Sequence, residues 1–139
     1  PTIEPAPVDL EINTAFIAEK EDVLAGIGNP DTLLWDARSS EEFDGTMVFA
    51  NRGGHIPGAI NLDWLDTMDR KNSLKLVPQL QALLDSHGMT ADKSIITYCQ
   101  THHRSGLSYL IGKLLGYNIR AYHGSWSEWG NDPDTPVET

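Results

Sequence analysis

Ser94-Ile95-Ile96-Thr97-Tyr98-Cys99-Gln100-Thr101-His102-His103-Arg104-Ser105-Gly106 is the stretch on which the fold turns. Ser94 to Tyr98 is apolar and β-branched, the mark of a buried strand. A polar loop, Cys99 to His103, follows. Residues 104–116 then return to helical spacing, with Leu107, Leu110, Ile111, Leu114 and Leu115 expected on the buried side. A strand that passes through a short loop into a helix is the repeating unit of a parallel α/β sheet, and such sheets bind ligands at the carboxyl ends of their strands. Cys99 stands at that end.

The same alternation extends in both directions. Phe16, Ile17, Val23, Leu24 and Ile27 predict a helix over 14–27, capped by Asn13 or Thr14 and stopped by Gly28-Asn29-Pro30. Residues 32–35 form a short buried strand with Asp36 at its end. Residues 39–43 open on a capping serine and read as one or two helical turns. Asn51-Arg52-Gly53-Gly54 is a loop, 59–62 a second strand, and 64–76 shows no clear period. Residues 78–87 predict a helix with Leu80, Leu83 and Leu84 inward, ended by Gly88. Residues 119–122 form a last strand before a Gly/Trp/Pro-rich tail. Prolines at 1, 5 and 7 make 1–13 an extended lead-in to one domain over 14–139. Short strands alternating with helices imply a mainly parallel sheet covered on both faces.

Composition narrows the function. The chain has 139 residues, 40% hydrophobic and 22% charged, which suits one globular domain. No apolar run reaches the roughly 20 residues of a membrane-spanning helix. The first ten residues carry no basic group and no apolar stretch, so no secretory signal is read there, and a cytoplasmic location is expected. With no initiator Met, a processed product or a fragment is expected. Ten Lys and Arg against twenty Asp and Glu leave a formal charge of −10. Such a surface repels nucleic acid and anionic membranes, and admits a small anionic substrate only where a local positive site draws it in. The single cysteine, Cys99, excludes an intramolecular disulfide. It is either a small buried hydrophobe or a reactive thiol.

The loop favours the second reading. Between strand and helix, successive N–H groups can curl around one point, and the helix N-terminus aims partial positive charge at it. A thiolate held there is stabilised. Arg104 adds a permanent charge with a donor fork suited to an oxyanion. His102 and His103 raise the possibility of a metal site with Cys99. Adjacent histidines in a tight loop do not readily face one ion, and structural zinc takes separated ligand pairs, so no metal is expected. These histidines are then partly exposed loop residues that add positive character below neutral pH.

The loop Cys99–Arg104, followed by Ser105-Gly106 and a helix, resembles the active-site loop of rhodaneses, the thiosulfate:cyanide sulfurtransferases. Leu34-Trp35-Asp36-Ala37-Arg38 with Glu42-Phe43 and Gly45, and Gly54-His55-Ile56-Pro57-Gly58-Ala59, are similar to the family's paired signature. Gly124-Ser125-Trp126-Ser127-Glu128-Trp129-Gly130 with Pro136-Val137-Glu138 is similar to the close of the second domain in tandem rhodaneses. The loop wording resembles the Azotobacter-type branch. The resemblance implies a rhodanese-like α/β domain, with a mainly parallel five-stranded sheet and helices on both faces. It implies that the chain is the catalytic C-terminal domain of a tandem enzyme whose N-terminal domain is inactive. It also implies a thiosulfate sulfurtransferase with no cofactor beyond a covalent persulfide on Cys99. A small anionic sulfur donor and a thiophilic acceptor such as cyanide, a thiol or thioredoxin would then be its partners. Gln100, Thr101, His102, His103, Arg104 and Ser105 would bind the donor and persulfide, with Trp126 at the mouth of the site. Asp36, Arg38, Glu42 and His55 would be structural supports.

Two other functions remain open on the residues. Cysteine phosphatases and arsenate reductases of related fold need five residues between Cys and Arg, and Gln100 to His103 is four. A non-catalytic binding module would show a fully buried, unreactive Cys99.

Overall fold

The structure, a computed structural model, describes residues 10–139. The first nine residues of the expected lead-in lie outside the described residues, and 10–13 belong to no regular element. Asn13 accepts a hydrogen bond from the Ala15 N–H and starts a 3-10 turn, Thr14–Phe16, that runs into the short strand β1 (Ile17–Ala18). Helix α1 (Lys20–Gly26) begins only at Glu19, whose side chain forms a capping box with Asp22. The single helix expected over 14–27 is therefore corrected: Ile17 and Ala18 take sheet partners, Ala121 and Tyr122, in place of a helical turn.

The chain continues through β2 (Thr32–Asp36), α2 (Ser40–Phe43) and β3 (Ile60–Asn61). The stretch without a period holds a 3-10 helix, Trp64–Thr67, capped by Asp63, and an antiparallel ribbon of β4 (Met68–Asp69) and β5 (Lys75–Leu76). After these come α3 (Leu80–Ser86), β6 (Ser94–Tyr98), α4 (His103–Leu114), β7 (Asn118–Tyr122) and α5 (Ser125–Trp129). The tail thus carries a helix that its Gly/Pro content concealed.

Five strands form one parallel sheet in the order β1-β7-β6-β2-β3. The two-residue period divides each strand between the sheet's faces. Leu34, Ile96, Tyr98 and Tyr122 pack with Val23, Ile56, Trp126 and Trp129 on one side. Trp35, Ile95 and Ile119 pack with Leu62, Leu84, Met89 and Ile111 on the other. Each fully buried large side chain of these clusters contributes about 1.5–3 kcal/mol, so the sheet's central strands are its anchor.

Helix α4 turns Ile111, Leu107 and Leu115 to the core as expected, but not the other two leucines of the stripe. Leu110 is 51% exposed and Leu114 68%. Ser105, Ser108 and Gly112 are buried beside Ile111. The approach is close: a Cβ on Gly112 would stand 2.8 Å from the Ile119 Cδ1. Small residues let the helix axis come near the sheet, and this outweighs the leucine stripe.

Candidate active site

Cys99 follows the last residue of β6, at the carboxyl end of the sheet's central strand, and is 1% exposed. The loop's first two carbonyls are turned toward α5. The Trp126 N–H donates to the Cys99 carbonyl and the Ser127 N–H to the Gln100 carbonyl, both at 2.9 Å. The Ser125 Oγ accepts from the Cys99 N–H at 3.4 Å and donates to the Tyr122 carbonyl at 2.9 Å. From Gln100 to Ser105, no backbone N–H has an acceptor among the described residues. The Gly106 N–H is the first to be satisfied, on the His102 carbonyl at 3.0 Å. His102 adopts a left-handed φ of 65°, costly for a residue with a Cβ, and makes the turn into α4. Six consecutive unpaired donors, turned by a left-handed residue at the head of a twelve-residue helix, are suited to holding an anion.

Arg104 reaches across to α2. Its two terminal nitrogens donate to the Glu42 carboxylate at 2.5 and 2.8 Å. Hydrogen bonding to Glu42, against the cost of burial, and then the charges of Glu42 and Cys99 raise the Arg104 pKa. Burial alone would raise the Glu42 pKa; the Arg104 guanidinium, the Ser39 N–H and Arg38 outweigh it and hold the carboxyl below its usual range.

The remaining residues singled out from sequence divide into two groups. In the loop, Gln100 donates from Nε2 to the Phe49 carbonyl at 3.1 Å, and its buried Oε1 has no partner. Thr101 and His103 are exposed. His102 lies 2.8 Å from the Ser105 Oγ through Nδ1 and stacks on His123, ring centres 4.7 Å apart. Burial, then His123 and His103, push its pKa below the usual 6.5.

Away from the loop, Asp36 and Arg38 form a fully buried pair with contacts at 2.6–3.0 Å. Arg38 also donates to the Gly54 carbonyl at 2.7 Å and lies 4.4 Å above the Trp126 ring. The Trp126 ring, expected at the mouth of the site, is therefore buried away from solvent. Its indole is buried in the core, donates from Nε1 to the Arg52 carbonyl at 3.1 Å, and supports the loop only through its main chain. His55 stacks on Phe43, centres 3.6 Å apart, donates from Nδ1 to the Phe43 carbonyl, and pairs its main chain with Glu138. Ser125 and His123 went unremarked as site residues. His123 belongs to no local pattern; Ser125 stands in the quoted stretch 124–130, and at a φ of 51° its hydroxyl meets the Cys99 N–H. Among the described residues, no cluster of His, Cys, Asp or Glu could hold a metal, and no helix is long and apolar enough to cross a membrane.

The chain belongs to the rhodanese-like domain family, whose profile matches residues 19–132. It is 49% identical over 133 residues to the thiosulfate sulfurtransferase of Azotobacter vinelandii and 47% identical over 133 residues to that of Pseudomonas aeruginosa. Each match covers 95% of this chain and 49% of the relative, so the chain spans about half the length of these proteins. The sulfur carrier protein TtuD of Thermus thermophilus is 39% identical over 114 residues, 75% of this chain and 40% of that protein. Among solved structures, the anaerobic ergothioneine biosynthesis enzyme of Chlorobium limicola superposes with a TM-score of 0.81 at 24% identity. That match covers 90% of this chain and 32% of the other, and speaks for the fold alone.

Proposed function

We propose that this domain is a rhodanese-type sulfurtransferase that carries sulfane sulfur as a persulfide on Cys99. Thiosulfate, named in the relatives' activity, is the donor taken here. The Cys99 thiolate attacks its outer sulfur; the new Sγ–S bond forms as the old S–S bond breaks, and the electron pair leaves with sulfite. Cyanide or a thiolate then attacks the outer persulfide sulfur, and Cys99 departs as thiolate. No net proton is taken up in either step, and the two half-reactions give ping-pong kinetics. The amides of Gln100 to Ser105 hold the persulfide anion, and Arg104 meets the charge of the donor. Asp36, Arg38, Glu42 and His55 fix the walls. The observation that carries this reading is the run of six acceptor-free amides directly after the cysteine.

Since the relatives are twice as long, the fuller reading adds an inactive N-terminal rhodanese domain. Thioredoxin or another thiol protein in the cytoplasm would be the acceptor. Incubation with thiosulfate should add one sulfur atom to the intact mass of the protein, and Cys99→Ser should abolish the gain. An unchanged wild-type mass would refute the proposal.

The burial of Cys99 favours one second reading, a binding module that does not turn over. Iodoacetamide decides between them: alkylation at Cys99, slowed by prior thiosulfate, supports catalysis, and a thiol inert to both supports the binding module.

A further inference from the structure

Of the described residues, only Met47-Val48-Phe49 set three large exposed apolar side chains in succession; they are 45%, 48% and 61% exposed. Such a run on a folded surface adds nothing to the core and marks a contact surface. The run is held in place. The Met47 N–H donates to the Glu41 carbonyl at 2.8 Å and the Asn51 N–H to the Asn131 Oδ1 at 2.8 Å. Val48 lies so close over Gly53 that a Cβ there would stand 2.8 Å from the Val48 Cγ2. The far end is tied to the active loop: Gln100, the residue after Cys99, donates from Nε2 to the Phe49 carbonyl at 3.1 Å. Whatever covers the run therefore stands beside the sulfur.

Charge and size select the occupant. Thiosulfate is a small hydrated anion and gains nothing from apolar surface. Glu41 and Asp44 are exposed beside the run, and no Lys or Arg lies in 39–51. The next cation, Arg52, turns inward to the carbonyls of Trp129, Asp132 and Thr135. A second copy of the chain would bring two such acidic borders together, each on a chain of charge −10. The complement of this surface is apolar with a basic border. Cys99 is 1% exposed, so its sulfur passes only to a thiol brought to the mouth, and a polypeptide thiol brings a surface with it.

We infer that Met47, Val48 and Phe49 form a docking surface for the sulfur acceptor, a polypeptide thiol flanked by apolar and basic residues. The inference rests on the sulfur-transfer reading above. The acceptor's thiol gives its proton to solvent and attacks the outer persulfide sulfur. A new S–S bond forms on the acceptor, the bond to the Cys99 Sγ breaks, and the electron pair returns to Cys99 as thiolate.

Capped cysteine peptides provide the test. In three of them leucines flank the cysteine and the borders are arginine, glutamine or glutamate; a fourth has arginine borders with serines in place of the leucines. Cys99 is loaded from thiosulfate, and the second-order rate of transfer to each peptide is measured. Each rate is divided by that peptide's rate with a small disulfide in free solution, which removes differences in thiol acidity. The leucine–arginine peptide should exceed the serine–arginine peptide about tenfold, the effect of burying about two methylenes. It should exceed the leucine–glutamate peptide at low salt, with the glutamine peptide between, and the gap should close in high salt. In the triple variant Met47→Ser, Val48→Ser, Phe49→Ser the leucine preference should vanish, while loading from thiosulfate and transfer to 2-mercaptoethanol stay within about twofold of wild type. Phe49→Ser alone should remove part of the preference. Equal rates for the leucine and serine peptides in wild type, a preference that survives in either variant at full size, or faster transfer with glutamate borders overturns the inference. So does a dimer in solution that the triple variant dissolves, which would assign the run to a second copy. A wild-type protein that gains no sulfur from thiosulfate instead brings down the sulfur-transfer reading itself.

Discussion

Two guanidinium–carboxylate pairs lie at the carboxyl end of the sheet and have opposite uses. Asp36–Arg38 is closed: the pair is buried to within 1%, the Arg38 Nη2 donates to both the Asp36 carboxylate and the Gly54 carbonyl, and Trp126 covers the guanidinium face. Glu42–Arg104 is open: the carboxylate is buried but 26% of the arginine side chain still meets water. A closed pair can only hold parts of the chain together, since its charges have no surface left to act on. An open pair can hold a loop and still present a charge balance to whatever enters.

That contrast fails if Arg38→Met is mild. The change leaves Asp36 buried and uncompensated, and should cost about 3–5 kcal/mol of stability in urea unfolding. A loss below about 1 kcal/mol would erase the difference between the pairs. Arg104→Gln should act on chemistry instead. Persulfide formation should slow about 100-fold, equivalent to about 2.7 kcal/mol of barrier, while the unfolding free energy falls by less than in Arg38→Met. Trp126→Phe sharpens the closed side. It loses the indole N–H to the Arg52 carbonyl and the better cation–π face, about 1–2 kcal/mol together. The persulfide rate should stay within about twofold, since only the Trp126 main chain touches the loop.

The smallest effect is in the pH dependence. The folded Glu42 pKa is lowered by Arg104, so its contribution to stability is complete above the unfolded carboxyl pKa and is lost as pH falls through the folded value. The stability difference between wild type and Glu42→Gln should be flat from neutrality down to the usual carboxylate range and close only below it, read by denaturant titrations at stepped pH. A difference that closes nearer neutrality would mean the open pair is too wet to hold its carboxylate.

Much of this was legible in sequence where one signal dominated. β6 is read residue for residue and β2 within one, because β-branched or large apolar runs between turn residues leave few alternatives. β1 is hidden because Ile17 also fits a helical stripe with Phe16 and Val23, and only pairing with β7, about a hundred positions away, makes Ile17 and Ala18 extended. The face of α4 is read correctly at Leu107, Ile111 and Leu115 but not at Leu110 and Leu114, because hydrophobicity says nothing of distance: Gly112 is buried for its smallness. In the site, the cysteine, loop and Arg104 form one contiguous phrase and could be read together. The Glu42 partner, the Ser125 hydroxyl under Cys99 and the His123 ring against His102 come from separate segments that meet only through the sheet. Trp126 was placed wrongly because its neighbours suggested a rim, whereas the buried guanidinium claimed its ring.

The carbonyls of Cys99 and Gln100 are fastened to the first amides of α5, and this fixes the sense of the peptide planes behind the sulfur. Neither plane can rotate to show an oxygen without breaking a hydrogen bond. The pocket is thus cast before its cargo arrives, and loading should leave the backbone where it stands. On the sulfur-transfer proposal, little rearrangement energy is then lost between the empty and the loaded state.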